Sequence, residues 1–257
     1  MWKMCLQSSI VYGPVSSRRL GESLGINLLP TSFKLCTLNC VYCQYGFSNQ
    51  RYFNSIPLEF FPRKLLVIRE IEKSLLAYKR MNKTIDCITF AGNGEPTLYP
   101  HFAEIIDTTI RLRDKLMPHV KIAILSNSST LTKPAIRDII HKIDRKIMKL
   151  DAGNTPMFRK INQPHEKIRY LDIVHALQSL DSLMLQTLFV QGSINNSTDE
   201  HVDALIKVYK RIEPQSIQIY SLDREPADKT IKPVCSERLV EIKDRIEQTT
   251  SIPVDAF

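Results

Sequence analysis

No run of about 18 apolar residues occurs anywhere in the sequence, so none of it is expected to span a membrane. The residues after Met1 form no secretory h-region. A disulfide framework, which suits short secreted chains, is therefore not expected for these 257 residues. The six histidines show no metal-ligand pairing, and none is assigned a role. Of the six cysteines, Cys5, Cys87 and Cys235 stand apart, and no fourth Cys or His lies beside the remaining three. A structural zinc site normally closes four ligands, often as two close pairs, so these three thiols make a poor one.

What remains is ordinary in bulk. An apolar content of 43% and a charged content of 24% are globular values. The length suits one domain of α/β-barrel size, or two small ones, with a full core. A net charge of +8 admits an anionic partner, nucleic acid included. The basic residues are spread out, however, as in Arg18-Arg19, Arg63-Lys64, Lys142, Arg145-Lys146 and Arg159-Lys160, and most read as solvated surface. Clustered thiols point to a reducing, cytoplasmic location.

The clustered thiols are Cys36-Thr-Leu-Asn-Cys40-Val-Tyr42-Cys43, spaced C-x3-C-x2-C. Three thiolates on one loop can hold three irons of a [4Fe–4S] cluster, since soft sulfur suits iron–sulfur centres. The fourth iron then lacks a protein ligand, and can bind a small molecule and pass an electron into it. The other cysteines read differently. Cys87 lies in an apolar strand and is expected to be a core thiol. A second cluster built from Cys5, Cys87 and Cys235 is not favoured.

Around this loop the apolar pattern alternates. Strands are expected at 24–29, 86–91, 120–125, 146–151, 183–190 and 216–220. Helices are expected at about 63–80, 102–116, 134–141, 165–179, 199–211 and 236–249. Leu65, Ile68, Ile71, Leu75 and Leu76 form the inner face of the first helix. Residues 1–23 read as an ordered lead-in with tight turns, 44–61 as an extended loop, and 252–254 as a short apolar tail. Strands alternating with helices of this length give βαβ units and a parallel sheet with right-handed crossovers. Six units are too few to close an eight-stranded barrel, so the expected fold is α/β, an open (β/α)6 partial TIM barrel. We expect one domain over 1–257: a lead-in and first strand (1–30), the cluster loop and its extension (31–62), and the remaining βα units (63–257). The cysteine loop then follows the first strand, at the C-terminal end where barrel sites form.

Four other strand ends carry polar residues. Gly92-Asn93-Gly94-Glu95-Pro96 can approach a ligand closely because glycine tolerates positive φ, although an ordinary glycine turn reads the same way. Ser126 and Asn127 offer groups of the kind that bind ribose hydroxyls, or else caps. Lys149 and Asp151 share a strand face and pair either beside a ligand or as a plain salt bridge. Gln186 could face the same interior. The polar run Tyr220–Pro226 adds Asp223 and Arg224 as weaker candidates.

The cysteine spacing, with Tyr42 before the third cysteine, resembles the radical S-adenosylmethionine (SAM) superfamily. The resemblance implies that the open iron chelates the amino and carboxylate groups of SAM. Reductive cleavage then gives a 5′-deoxyadenosyl radical that abstracts hydrogen from a substrate. It places Tyr42 near the adenine and matches Asn93, Gly94 and Glu95 to a Gly-Gly-Glu-type motif whose backbone hydrogen-bonds the methionine amino group. Ser126 and Asn127 fall where members contact the SAM ribose or carboxylate, and the implied fold is the same open barrel. Residues 13–21, 35–46, 94–100 and 149–153 further resemble a branch of iron–sulfur oxidoreductases related to the tRNA wyosine-synthesis (4-demethylwyosine synthase) enzymes, over about the first 165 residues. The chain departs from the wyosine enzyme in lacking cysteines for a second cluster, since only Cys5 precedes Cys36, and in lacking a flavodoxin-like domain. Tricyclic-base formation is therefore not carried over. The expected activity is that of a single-cluster radical SAM enzyme fed by an external flavodoxin or ferredoxin. Its expected substrate is anionic, with tRNA or another RNA first and a peptide or glycyl-radical protein second. An iron–sulfur protein that senses redox state or binds without catalysis is the alternative of another class.

Overall fold

The protein is described here by a computed structural model covering residues 5–48 and 56–257. Its elements in chain order are β1 (Val11–Ser17), β2 (Gly21–Ile26), α1 (Lys64–Arg80), β3 (Cys87–Phe90), α2 (Phe102–Leu116), β4 (Lys121–Ser126), α3 (Pro134–His141) and β5 (Arg145–Lys149). There follow α4 (Thr155–Ile161), α5 (Tyr170–Leu177), β6 (Leu183–Leu188), β7 (Val190–Gly192), α6 (Asp199–Ile212), β8 (Ser216–Tyr220), β9 (Ile231–Pro233), α7 (Ser236–Thr250) and β10 (Val254–Ala256). One sheet runs β1-β2-β3-β4-β5-β6-β8-β10, and β7 pairs with β9 apart from it. From β2 to β8 every neighbouring pair is parallel. These six overlap the expected strands, although β2 begins and ends three residues before the expected 24–29, and helices on the sheet make the expected α/β partial barrel.

Burial explains the pattern. Every residue of β3 is buried, as a strand covered on both faces requires. Helix α1 buries Val67, Ile71 and Leu75 at i, i+4, i+8. Of the expected inner face, Ile71 and Leu75 are buried and Ile68 and Leu76 half-buried, whereas Leu65 is 77% exposed and Val67 takes its place in the core. Helix α7 buries Leu239, Ile242 and Ile246. No helix among the described residues is long and apolar enough to cross a membrane.

The chain ends hold more structure than their sequence signals. The lead-in folds as β1, antiparallel to β2, and the tail as β10, parallel to β8. The first and last strands thus gain neighbours they would otherwise lack. Sequence also missed α4 and began the next helix five residues early. Pro164 bridges to Leu38, and His165 donates its N–H to the Thr37 carbonyl at 3.0 Å, so this segment is bound to the cysteine loop and does not coil. Part of the loop expected over 44–61, residues 49–55, lies outside the described residues.

Candidate active site

The cysteine loop leaves β2 and is held on two sides. On one, Leu35 pairs with the turn after β3: its N–H donates to the Asn93 carbonyl at 2.8 Å and its carbonyl accepts the Glu95 N–H at 3.0 Å. On the other, the N–H groups of Asn39 and Val41 donate to the carbonyls of Asn162 and Ile161 at 3.0 and 2.9 Å. Lys34, buried, spans the loop by donating to the Gly46 carbonyl at 2.9 Å. Held in this way, Cys36, Cys40 and Cys43 line one cavity of about 520 Å³ together with Tyr42, Gly94, Ser126, Asn127 and Lys149.

Two of the three sulfurs receive amide N–H groups. Asn127 Nδ2 lies 3.3 Å from Cys36 Sγ, and Asn162 Nδ2 lies 3.4 Å from Cys40 Sγ. Burial pushes the free Cys36 thiol up to about 12, although Lys34 opposes it. Burial, reinforced by Asp151, pushes Cys40 up to about 11. Both thiols must therefore give up protons on taking metal, which couples metal binding to pH. Among the described residues no three His, Cys, Asp or Glu groups gather closely enough for a single metal ion. The donor set is three soft sulfurs sharing a cavity wall, two of them with N–H donors, and this fits an iron–sulfur cluster.

In the turn after β3 the side chains are used within the chain. Asn93 is fully buried and every polar group it has is taken within the chain. Its carboxamide accepts from Gln7 N–H and donates to the carbonyls of Gln7 and Pro30, its N–H goes to Asn27, and its carbonyl to Leu35. It staples the lead-in to the cysteine loop. Gly94 (φ +143°) packs so tightly that a Cβ there would lie 1.7 Å from the Leu35 carbonyl oxygen. The Glu95 carboxylate is also internal. It accepts from the Thr97 and Asn127 N–H groups at 3.2 and 2.7 Å and from Ser126 Oγ at 2.9 Å, tying the end of β3 to the end of β4. Burial raises its pKa despite these donors. Asn127, placed by Glu95, turns its amide to Cys36 and to Thr37 Oγ1 at 2.9 Å, and this uses the group expected to meet a ribose.

A polar network joins the cysteine loop to the ends of β5, β6 and β8. Asp151, almost fully buried, pairs with Lys149 Nζ at 2.9 Å, and accepts from the Leu188 N–H at 2.9 Å, from Asn162 Nδ2 at 2.7 Å and from Tyr42 OH. Lys149 also donates to Tyr220 OH at 2.9 Å, and that hydroxyl donates to Gln186 Oε1 at 3.1 Å. Burial alone would lower the Lys149 ammonium, but Asp151 and Tyr220 outweigh it and hold it above its ordinary value. Burial and the Asp151 charge raise Tyr42. Lys149 is thus a fixed cation, and Tyr42 a ring fixed beside it at 4.9 Å. Asp151→Ala would leave this lysine buried without a counter-charge. It is expected to cost about 3 kcal/mol in chemical denaturation, with Asp151→Ala/Lys149→Met recovering most of the loss.

The chain has relatives among known proteins. The family model described as "Radical SAM superfamily" matches residues 31–208. The chain belongs to the radical SAM superfamily. It is accordingly a radical SAM enzyme that uses a [4Fe–4S] cluster and SAM. It is similar to the UPF0026 protein of Methanocaldococcus jannaschii, 31% identical over 239 residues, 91% of this chain and 70% of that protein. It is also similar to a protein named GTPase Obg from Brachyspira hyodysenteriae, 33% identical over 257 residues, 98% of this chain and 36% of that protein. The radical SAM chain thus spans little more than a third of that relative. Its fold is similar to TYW1 with a lysine-pyruvate adduct bound (TM-score 0.59, 16% identity, 89% of this chain and 74% of that one). It is likewise similar to Streptococcus suis SuiB bound to S-adenosylmethionine (TM-score 0.63, 14% identity, 90% and 50%).

Within the radical SAM site, Asn162 is the residue that sequence reasoning missed. It caps the C-terminus of α4 and joins Cys40, Tyr42 and Asp151 through one amide. The only signal was an Asn two residues before Pro164, which reads as an ordinary helix end. Cys87 is buried as expected, in the barrel interior with Leu20, Ala123 and Ile147, while Cys5 and Cys235 are exposed.

Proposed function

We propose that Cys36, Cys40 and Cys43 hold the [4Fe–4S] cluster, that SAM fills the adjoining cavity, and that hydrogen is taken from an anionic substrate, with tRNA or another RNA first. The observation that carries this reading is the shared cavity: all three thiols and the polar ends of β3, β4, β5 and β8 open onto it. When bound, the cluster supplies the electron that cleaves SAM to a 5′-deoxyadenosyl radical. The chain's own residues position. The Gly94 turn, packed on Leu35, brings backbone beside Cys36 for the methionine end of SAM. Ser126 borders the ribose, and Tyr42, fixed by Asp151 and Lys149, forms a wall for the adenine. Radical SAM enzymes need an electron donor, and flavodoxin or ferredoxin is the proposed one here.

Two facts support RNA: the net charge of +8 and a fold shared with TYW1. The test uses tRNA purified from D2O-grown cells that lack the enzyme. Incubated with reconstituted protein, SAM and reductant, it should yield 5′-deoxyadenosine carrying deuterium. Unlabelled product from every tRNA fraction would count against RNA.

The amide donors make a further expectation. A hydrogen bond to a cluster sulfur stabilises the reduced, more negative state. Asn162→Ala is expected to keep its iron and to shift the reduction equilibrium about tenfold toward the oxidised cluster, a fall of ~60 mV for one electron. EPR-monitored redox titration reads it.

A further inference from the structure

We propose that the guanidinium of Arg19 binds an oxyanion of the substrate, a carboxylate or phosphate, within the cavity that carries the cysteines. The proposal rests on the reading of that cavity as the active site.

Arg19 lies in the turn between β1 and β2, and this turn is fixed. Ser17 Oγ accepts the N–H groups of Arg19 and Leu20 at 3.3 and 3.2 Å. The buried Leu20 packs into the barrel interior. Gly21 (φ +69°) lies so close to Asp86 that a Cβ would come within 2.2 Å of its carboxylate. The turn crosses from the first strands to the last. Arg18 pairs with Asp223 at 2.5 Å, and Arg19 lays its Cζ 4.5 Å from the Tyr220 ring centroid and 5.4 Å from that of Phe257.

The other cations on the cavity wall are matched. Lys149 has Asp151, Lys34 has the Gly46 carbonyl, and Arg224 donates to Gln44 Oε1 at 2.6 Å. Among the described residues the Arg19 guanidinium has no hydrogen-bond or ion-pair partner; its contacts are the two rings. A guanidinium stacked on aromatic rings keeps its N–H groups in its own plane, where they form a fork suited to carboxylate or phosphate. Arg19 is therefore a half-buried positive charge on the cavity wall, on a rigid turn, with its donors unused. The methionine end of SAM is assigned above to the turn after β3, whereas Arg19 rests on the end of β8. The oxyanion it suits is the substrate's.

The test uses inorganic pyrophosphate as probe, measured by calorimetry on reconstituted protein with saturating SAM. Saturable binding is expected for the wild type, weakened tenfold or more in Arg19→Gln and less in Arg19→Lys, which keeps the charge and loses the fork. Arg18→Gln, which breaks the neighbouring pair with Asp223, should bind the probe like wild type and so separates anion binding from closure of the barrel edge. The SAM affinity read from the cluster's EPR signal should stay within twofold in Arg19→Gln. Three results overturn the proposal: no saturable pyrophosphate binding by the wild type, equal binding by Arg19→Gln, or a tenfold loss of SAM affinity in Arg19→Gln, which would give the guanidinium to SAM. Failure of the wild type to take up a cluster would instead sink the active-site reading. The same titration on cluster-free protein would still read Arg19.

Discussion

Cys36→Ser, Cys40→Ser and Cys43→Ser are each expected to give a folded chain that holds no stable [4Fe–4S] cluster and forms no 5′-deoxyadenosine above background. Serine oxygen is a hard donor with little affinity for an iron–sulfur centre. A cluster left with two thiolates has two irons without protein ligands and no defined orientation on the loop. The fold should survive because the loop is held mainly through its backbone and through Lys34, and a serine hydroxyl can still accept the amide N–H groups that Asn127 and Asn162 give to the sulfurs of Cys36 and Cys40. Thermal unfolding of the cluster-free variants should therefore fall close to the cluster-free parent. Cys87→Ser is the control. Its thiol is buried away from the loop in the barrel interior, so it should lose some stability and keep both cluster and activity. Iron and sulfide content, together with product formation, check the series. A Cys36, Cys40 or Cys43 variant with full iron content would contradict the ligand assignment.

Gly94→Ala is expected to be the most damaging single-methyl change in the chain. At φ +143° any side chain is strained, and the added Cβ would lie 1.7 Å from the Leu35 carbonyl oxygen. Relief requires the turn to separate from the loop, breaking the bonds from Leu35 N–H to Asn93 and from Glu95 N–H to Leu35. Strain and two lost backbone bonds together amount to about 4 kcal/mol. The functional loss should exceed the loss of stability, because Leu35 precedes Cys36 directly. Chemical denaturation with parallel iron analysis measures both, and a variant with near-parent stability would show that the contact yields more easily than its geometry implies. Glycine at Gly46 makes the contrast, since a Cβ there meets nothing within 4 Å and only the positive φ opposes it.

The parts of this architecture that sequence displays are those built from repetition. The six parallel strands are apolar runs separated by helical stripes, and the cysteine spacing is local, so both can be read without coordinates. Lys149 and Asp151 stand two residues apart at the end of β5, as alternation in the sequence suggested, and the structure pairs them at 2.9 Å. The parts that stayed hidden depend on partners far away in sequence. β10 is three residues long and is a strand only because β8 offers an edge. Asn162 looks like a helix end, and its place beside Cys40 follows from how the segment after α4 docks on a loop some 120 residues earlier. Asn93 and Glu95 have a motif's identities, yet their side chains are consumed in holding backbone. A motif shows which residue types meet, and only the hydrogen-bond partners show which groups remain for a ligand. Arg19 is the reverse case: a basic residue that reads as solvated surface proves to lie on the cavity wall.

The most direct test of the account is an anaerobic one. Protein reconstituted with iron and sulfide is reduced with dithionite, and its EPR spectrum is recorded before and after adding SAM, with the nucleoside products assayed in parallel. The account requires a reduced [4Fe–4S] signal that changes when SAM binds, accompanied by 5′-deoxyadenosine. A protein that takes up zinc in place of the cluster, or a cluster whose spectrum is indifferent to SAM and yields no 5′-deoxyadenosine, would contradict it.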